Sequence, residues 1–223
     1  MSIDIEAQGD VQVVRWDDGE NRVNLDSLTE WHAVLDQLEA IDGPLAVVVI
    51  GTGKFFSNGL DLDRLMIEAE EAGPTVELLH QLFGRLLLFP GYIVGALNGH
   101  TYAAGAMLSC CFDARVMRSD RGYWCLPEVD LGLPLTEAMA AVVTARLPME
   151  AAQDAILTGQ HYTAEDAQAL GIVTDTSDNE RLLGVAVDLA APMAGKNRQV
   201  IGEHKRLLFG ATAAVCGVPS GSS

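Results

Sequence analysis

Two turns in this 223-residue chain carry residue types suited to carbonyl chemistry. Phe55-Phe56-Ser57-Asn58-Gly59-Leu60-Asp61 and Asn98-Gly99-His100-Thr101-Tyr102-Ala103-Ala104-Gly105 each place glycine where a run of buried-strand composition gives way to a helix or loop. Glycine lets the backbone turn tightly there and leaves N–H groups outside any ladder. Two such donors aimed at one point would stabilise the charge that collects on a carbonyl oxygen during reaction. Ordinary tight strand-to-helix turns have the same composition, so on these residues alone both readings stand.

Other chemistries find less support. The patterns GxGxxG, GxxxxGK[ST], HExxH and GxSxG are absent, and Gly51-Thr52-Gly53-Lys54 is too short to cradle a phosphate. His32, His80, His161 and His204 share no metal-ligand spacing, and His100 is expected to hydrogen-bond its own turn. Cys110, Cys111, Cys125 and Cys216 form no CxxC pair, which predicts buried, reduced thiols.

The elements that must hold these turns follow from apolar periodicity. Val11 to Trp16 reads as a strand, and Leu25, Leu28, Trp31, Leu35, Leu38 and Ile41 mark an amphipathic helix starting near Asn24 or Asp26. Ala46 to Ile50 and Tyr92 to Leu97 read as strands, the former buried on both faces. Each leads into one of the two turns. Further strands are predicted at 114–117 and 123–125. Helices are predicted at 76–88, from Ala103 towards Asp113, and at 137–146, 150–157, 164–170, 179–191 and 196–208. The acidic stretch 61–74 is expected on the surface, its charges simply solvated. Alternating strands and helices predict a mixed α/β architecture.

Composition limits the partners. With 14 Lys and Arg against 31 Asp and Glu, the net charge is −17, which argues against nucleic acid and against an anionic membrane surface. The chain is 49% hydrophobic and 20% charged, as a compact domain is. No apolar run approaches the roughly 18 residues of a membrane span, and the N-terminus lacks a basic, apolar leader. A cytoplasmic location is therefore expected. Residues 1–195 are read as the core, and 196–223 as a terminal helix with a disordered tail from Gly217 to Ser223.

The segment Cys125-Leu126-Pro127-Glu128-Val129-Asp130-Leu131-Gly132-Leu133-Pro134 makes the order of the whole chain recognisable. Together with Asn21-Arg22-Val23-Asn24-Leu25, the two turns, Phe112-Asp113, Leu157-Thr158-Gly159 and Ala169-Leu170-Gly171-Ile172-Val173, it resembles the crotonase family of acyl-CoA enzymes. Within that family the wording is most similar to the monofunctional Δ3,Δ2-enoyl-CoA isomerases.

The resemblance implies a spiral of ββα units with C-terminal helices, a homotrimer or dimer of trimers, and an acyl-CoA thioester as partner. It implies no separate cofactor and no metal. The thioester carbonyl would be held by the backbone N–H groups of Leu60 and Ala104, with Glu128 as the catalytic carboxylate. Related hydratases use a second glutamate to steer water, and its position here holds Met107. A thioether cannot do that, whereas moving a double bond needs only one carboxylate. Dienoyl-CoA isomerases carry further acids where this chain has Met107 and Thr136. Substrate contacts are expected at Lys54, Phe56, Met107 and Lys205, with Lys54, Lys205 and Arg206 as candidates for the CoA phosphates. Met66, Met107 and Met139 are candidates to line an acyl pocket. A hydratase and a non-catalytic acyl-CoA-binding relative are the alternative readings.

Overall fold

A computed structural model describes residues 2–219. Residues 220–223 of the expected tail lie outside the described residues. The chain opens with a hairpin, β1 (Ile3–Gln8) antiparallel to β2 (Val11–Trp16), followed by α1 (Leu25–Glu39). Asn24 caps α1 by accepting from the Ser27 N–H, and the Ser27 hydroxyl accepts from the Asn24 N–H.

Three cycles of one pattern come next. In the first, β3 (Ala46–Gly51) and β4 (Phe55–Ser57) lead to α2 (Leu62–Ile67) and α3 (Ala72–Leu88). In the second, β5 (Tyr92–Leu97) and β6 (His100–Tyr102) lead to α4 (Ala104–Cys110). In the third, β7 (Ala114–Arg118) and β8 (Trp124–Cys125) lead to α5 (Glu128–Leu131) and α6 (Glu137–Arg146). The chain closes with α7 (Met149–Thr158), α8 (Ala164–Ala169), β9 (Asp175–Ser177), α9 (Leu182–Ala194) and α10 (Arg198–Val215).

Long strands and short strands segregate. The long ones form a six-stranded sheet in the order β1-β2-β3-β5-β7-β9, parallel except for β1, while β4, β6 and β8 form a separate parallel sheet of three. This is the expected ββα spiral, an α/β fold.

Register explains the apolar run in β3. Val13, Val48, Val94 and Ala114 lie side by side across the sheet and pack with Leu182, Ala186, Ala190 and Ala194, which recur every fourth residue on one face of α9. Small alanines let that helix come close. On the other face, Val47 and Val49 join the main core with Trp16, Trp31, Phe83, Phe112 and Trp124. The strand is therefore buried on both sides, as expected.

The stretch 61–74 is at the surface but more ordered than its composition suggests. It contains α2, none of whose residues is buried. Arg64 holds it by pairing with Asp26, Glu68 and Glu71 at 2.7–3.0 Å, so part of the acidic charge serves local anchoring rather than solvation alone.

Lys205 corrects an expectation. It does not reach any phosphate-facing surface but is buried, its Nζ donating to Asp113 Oδ2 at 2.6 Å and to the Gly91 carbonyl at 2.8 Å. Asp113 Oδ2 also accepts from the Ile93 N–H at 2.8 Å, so one ion pair fastens α10 to the start of β5. Lys205→Met should lower the unfolding free energy in urea by about 3–5 kcal/mol by stranding a buried carboxylate. Adding Asp113→Asn, whose side-chain oxygen can still accept from Ile93, should recover part of that loss. Equal losses in the single and double variants would contradict the pairing.

Candidate active site

The strand-to-helix turns of the first two cycles meet because β4 and β6 are neighbours in the small sheet. Two glycines let them touch. Gly59 has φ +81°, in the left-handed region, and a Cβ there would lie 2.7 Å from Ala103 Cβ and 3.3 Å from the Ala104 nitrogen. Gly105 presses on β4 from the other turn, where a Cβ would come within 2.6 Å of Ser57 Cβ and 2.8 Å of the Ser57 carbonyl oxygen. No other residue fits either contact without moving backbone.

Buried Asn21 braces the first turn from behind. Its Nδ2 donates to the carbonyls of Trp16 and Phe56, both at 3.0 Å, and its own carbonyl accepts from the Ser57 hydroxyl at 2.7 Å.

Each turn leaves a cavity-lining residue, Leu60 in the first and Ala104 in the second, whose N–H has no backbone partner among the described residues. The Val23 N–H donates to the Gly59 carbonyl at 2.8 Å and the Asp61 N–H to the Val23 carbonyl at 2.9 Å, so this bridge consumes the groups on either side of the Leu60 N–H but not that N–H itself. Ala104 is the first residue of α4, where an N–H has no acceptor one turn back. Ala103, just before it, is held at φ 50° and ψ −124°, with its N–H donated to the Cys125 carbonyl at 3.0 Å and its carbonyl accepting from Met107 at 3.0 Å. An alanine in that region stores on the order of 1–3 kcal/mol of strain.

Both turns border a cavity of about 470 Å³. Leu60, Ala103 and Ala104 form one wall, Val76, Met107 and Met139 supply alkyl and thioether surface, and Arg22, Asn58 and Asp63 stand on its solvent side. Arg22 is clamped by Glu20, Asp61 and Asp63 at 2.6–3.2 Å, which leaves it little net charge to offer.

Glu128 enters the same cavity as the first residue of α5. Its Oε2 is buried with no hydrogen-bond partner, and desolvation pushes its carboxyl above the ordinary carboxylate range, opposed in part by its own backbone N–H. The arginines that could have neutralised it are engaged elsewhere. Arg118 grips Asp120 at 2.7–2.8 Å, and Arg115 donates to the carbonyls of Ile172, Ser109 and Phe112. An unpaired, basic carboxylate thus shares a largely apolar cavity with two free N–H donors. Such a site can remove a proton next to a carbonyl and hold the resulting enolate oxygen.

The other sequence candidates separate cleanly. Met107 and Met139 line the cavity, whereas Met66 is 76% exposed and lies outside it. Phe56 also departs from expectation: it is fully buried, edge-on to Phe112 at 6.2 Å, and supports the turn from the core instead of touching substrate space. Lys54 is outside the cavity with its ammonium 5.1 Å from the Phe55 ring centre. Arg206 borders a different groove, with Glu39 and Arg85. His100 receives or donates a 2.8 Å hydrogen bond with the Tyr102 hydroxyl and so does tie its own turn.

The cysteines are free and buried, as predicted. Burial pushes the Cys125 thiol up to about 12, which leaves it inert although His161 Nδ1 lies 3.8 Å away. Arg22, Asn58, Tyr102 and Thr136 are cavity residues that the reading of the sequence did not assign to substrate. Only Thr136 announced itself locally, as the hydroxyl residue before Glu137 that caps α6.

Known proteins resemble this chain in sequence and fold. Residues 6–212 match the enoyl-CoA hydratase/isomerase family. The chain is 33% identical over 189 residues to the peroxisomal enoyl-CoA delta isomerase 2 of Arabidopsis thaliana, covering 80% of this chain and 79% of that one. It is 30% identical over 164 residues to the 2,3-dehydroadipyl-CoA hydratase of Escherichia coli, covering 72% and 64%. An apo structure described as an Mtb enoyl-CoA isomerase superposes with a TM-score of 0.89 at 25% identity over 97% of this chain and 95% of that one. The family match and the superposition agree, and the chain belongs to the enoyl-CoA hydratase/isomerase family, with the crotonase fold.

Proposed function

We propose that this crotonase-family enzyme is a Δ3,Δ2-enoyl-CoA isomerase, converting a 3-enoyl-CoA into the 2-enoyl-CoA. The observation that carries the reading is a single unpaired carboxylate, Glu128, in a cavity also lined by the buried side chain of Met107, the residue at which the family resemblance puts the hydratases' second glutamate. Support also comes from the enoyl-CoA delta isomerases among its relatives.

The chemistry needs no further acid. Glu128 takes a proton from C2, and the electron pair of that C–H bond delocalises through the C3–C4 double bond and the carbonyl onto the thioester oxygen. The Leu60 and Ala104 N–H groups stabilise this dienolate, each such donor being worth about 3–4 kcal/mol in comparable sites. Protonated Glu128 then returns its proton to C4, the double bond settles between C2 and C3, and the carboxylate is regenerated. The apolar walls keep Glu128 basic and limit proton exchange with water. In this proposal the ligand is an acyl-CoA thioester, and the working assembly is a homotrimer or a dimer of trimers. With Lys205 committed to Asp113 and Arg22 to three acids, the CoA phosphates meet little positive charge, so affinity should be modest and sensitive to salt.

Because burial raises the Glu128 carboxyl, the rate should fall with decreasing pH along a limb centred above the ~4.3 of a free glutamate. Glu128→Gln should remove that limb together with about 10²–10⁴-fold in kcat. A variant with near-native rate, or hydration of 2-enoyl-CoA by the unaltered protein at least as fast as isomerisation, would contradict the assignment. Gly105→Ala, by forcing β4 from α4, should cost about 10²–10³-fold in kcat, as loss of one donor does. Gly73→Ala, whose added Cβ meets nothing within 4 Å, is the matched control. Equal rates for the two would show that the turns need not touch.

A further inference from the structure

The outward face of the small sheet carries a group of rings and cations that the isomerisation does not use. Its strand entries are packed together through glycine. A Cβ on Gly99 would overlap the Lys54 carbonyl, and one on Gly122 would lie 3.0 Å from the His100 nitrogen. The His100 N–H donates to the Lys54 carbonyl at 3.0 Å, and the Thr101 N–H to the Tyr123 carbonyl at 2.9 Å. Phe55 is the register partner of His100, and the pairs Thr101–Trp124 and Tyr102–Cys125 set Tyr123 beside His100. Phe55, His100 and Tyr123 thus form one row of rings across three strands, with centroids 5.4 and 5.8 Å apart and tilts of 44° and 35°. Tyr102, two residues along and so on the same face, lies 5.1 Å from the His100 ring centre, and its hydroxyl is 2.8 Å from His100 Nδ1, which fixes the imidazole. His161 stands edge-on to both tyrosines at 5.5 and 5.8 Å. On the opposite face Thr101 and Trp124 are fully buried, whereas Tyr123 is 41% exposed and Lys54, Arg121 and His161 are exposed.

This face is positive on a chain of net charge −17. Arg22, Arg64, Arg85, Arg118, Arg181 and Lys205 are each paired with an acid. Lys54 and Arg121 hold no ion pair among the described residues, and the Lys54 ammonium lies 5.1 Å from the Phe55 ring centre. Burial, and then the charges of Lys54, Arg121 and His161, hold the His100 imidazole below its ordinary pKa, so it stays an uncharged ring near neutral pH. Rings open to solvent with cations at their edge suit a flat base that carries phosphate. A second copy meeting this face about a two-fold axis would set Lys54 and Arg121 against their own counterparts, and two cations are too few for a nucleic-acid strand. We propose that the outward face of β4, β6 and β8 binds a purine nucleotide, its base on His100 and Tyr123 and its phosphates at Lys54 and Arg121, at a site separate from the cavity of Glu128. A purine, with two fused rings, covers more of this pair of rings than a pyrimidine does. Of the residues on this face only Tyr102 also lines the cavity.

Isothermal titration calorimetry of the full chain with ADP tests the inference. ADP should bind at one site per chain, and adenosine and ribose 5-phosphate, which lack the phosphates or the base, should each bind at least about 10-fold more weakly. Tyr123→Ala should weaken ADP binding by about 10-fold, the order of one base stacked on one ring, and Tyr123→Phe, which keeps the ring, should restore it. Replacing Lys54 and Arg121 together by Met should weaken it by at least about 10-fold and flatten its dependence on salt. ADP should also bind the complex with butyryl-CoA as tightly as it binds the free protein. No binding of ADP, or the same affinity in the Tyr123→Ala and the double Met variants, would overturn the inference. Displacement of ADP by one equivalent of butyryl-CoA would overturn the separate site, and a smaller sedimentation coefficient for Tyr123→Ala than for the unaltered protein would show that a second copy covers this face instead.

Discussion

The site depends on a backbone-to-backbone contact between two turns that are more than forty residues apart in sequence. Gly59 lies against the Ala103–Ala104 peptide, and Gly105 lies against Ser57. Only where both positions lack a Cβ can the chain after β4 and the start of α4 approach this closely. The approach brings the Leu60 and Ala104 N–H groups to one wall of the cavity without any side chain performing the task. Strain at Ala103 belongs to the same contact: the residue is pinned on both sides by hydrogen bonds, to Cys125 and from Met107, and these keep it in a conformation alanine otherwise avoids.

The spiral makes that contact possible. Each cycle sends a long strand through the large sheet and then a short strand into the small one, so successive turns emerge at the same end, one strand spacing apart. β4 beside β6 aligns the donors, and β6 beside β8 brings the third cycle close enough for α5 to deliver Glu128 to the same cavity. Three cycles thus supply two hydrogen-bond donors and one base. The two faces of the large sheet, packed by α9 on one side and by the aromatic core on the other, give this arrangement its rigidity.

Much of this was legible in the sequence, for identifiable reasons. β3 and β5 are long apolar runs, and α1 keeps a strict three-to-four spacing. β1 was not anticipated because Asp4 and Glu6 interrupt its apolar residues at an edge of the sheet. β4 and β6 are three residues each, too short to show a period, whereas β8 falls within the strand expected at 123–125; all three exist because they pair with one another. Lys205 misled because polarity was taken as a guide to exposure. On α10 the order is inverted: Leu207 and Leu208 are 84% and 71% exposed while Lys205, on the buried side with Gly202 and Ala213, turns inward to Asp113. Phe56 and Met66 misled in the opposite sense, since neighbourhood along the chain to a cavity residue does not decide which way a side chain points. Thr136 also hydrogen-bonds His80, a pairing that joins α6 to α3 and left no local mark beyond the helix cap.

The net charge of −17 argues against polyanionic macromolecules as partners, yet the proposed ligand carries phosphates of its own. Burial of Lys205 sharpens that tension, because binding must then lean on backbone groups and the apolar cavity. The central claim is that one carboxylate in a dry cavity carries the same proton from C2 to C4. Turnover of a 3-enoyl-CoA deuterated at C2, in ordinary water, tests it most directly. Retention of a substantial share of the label at C4 is the expected result; complete loss of the label to solvent in a single turnover would contradict the account.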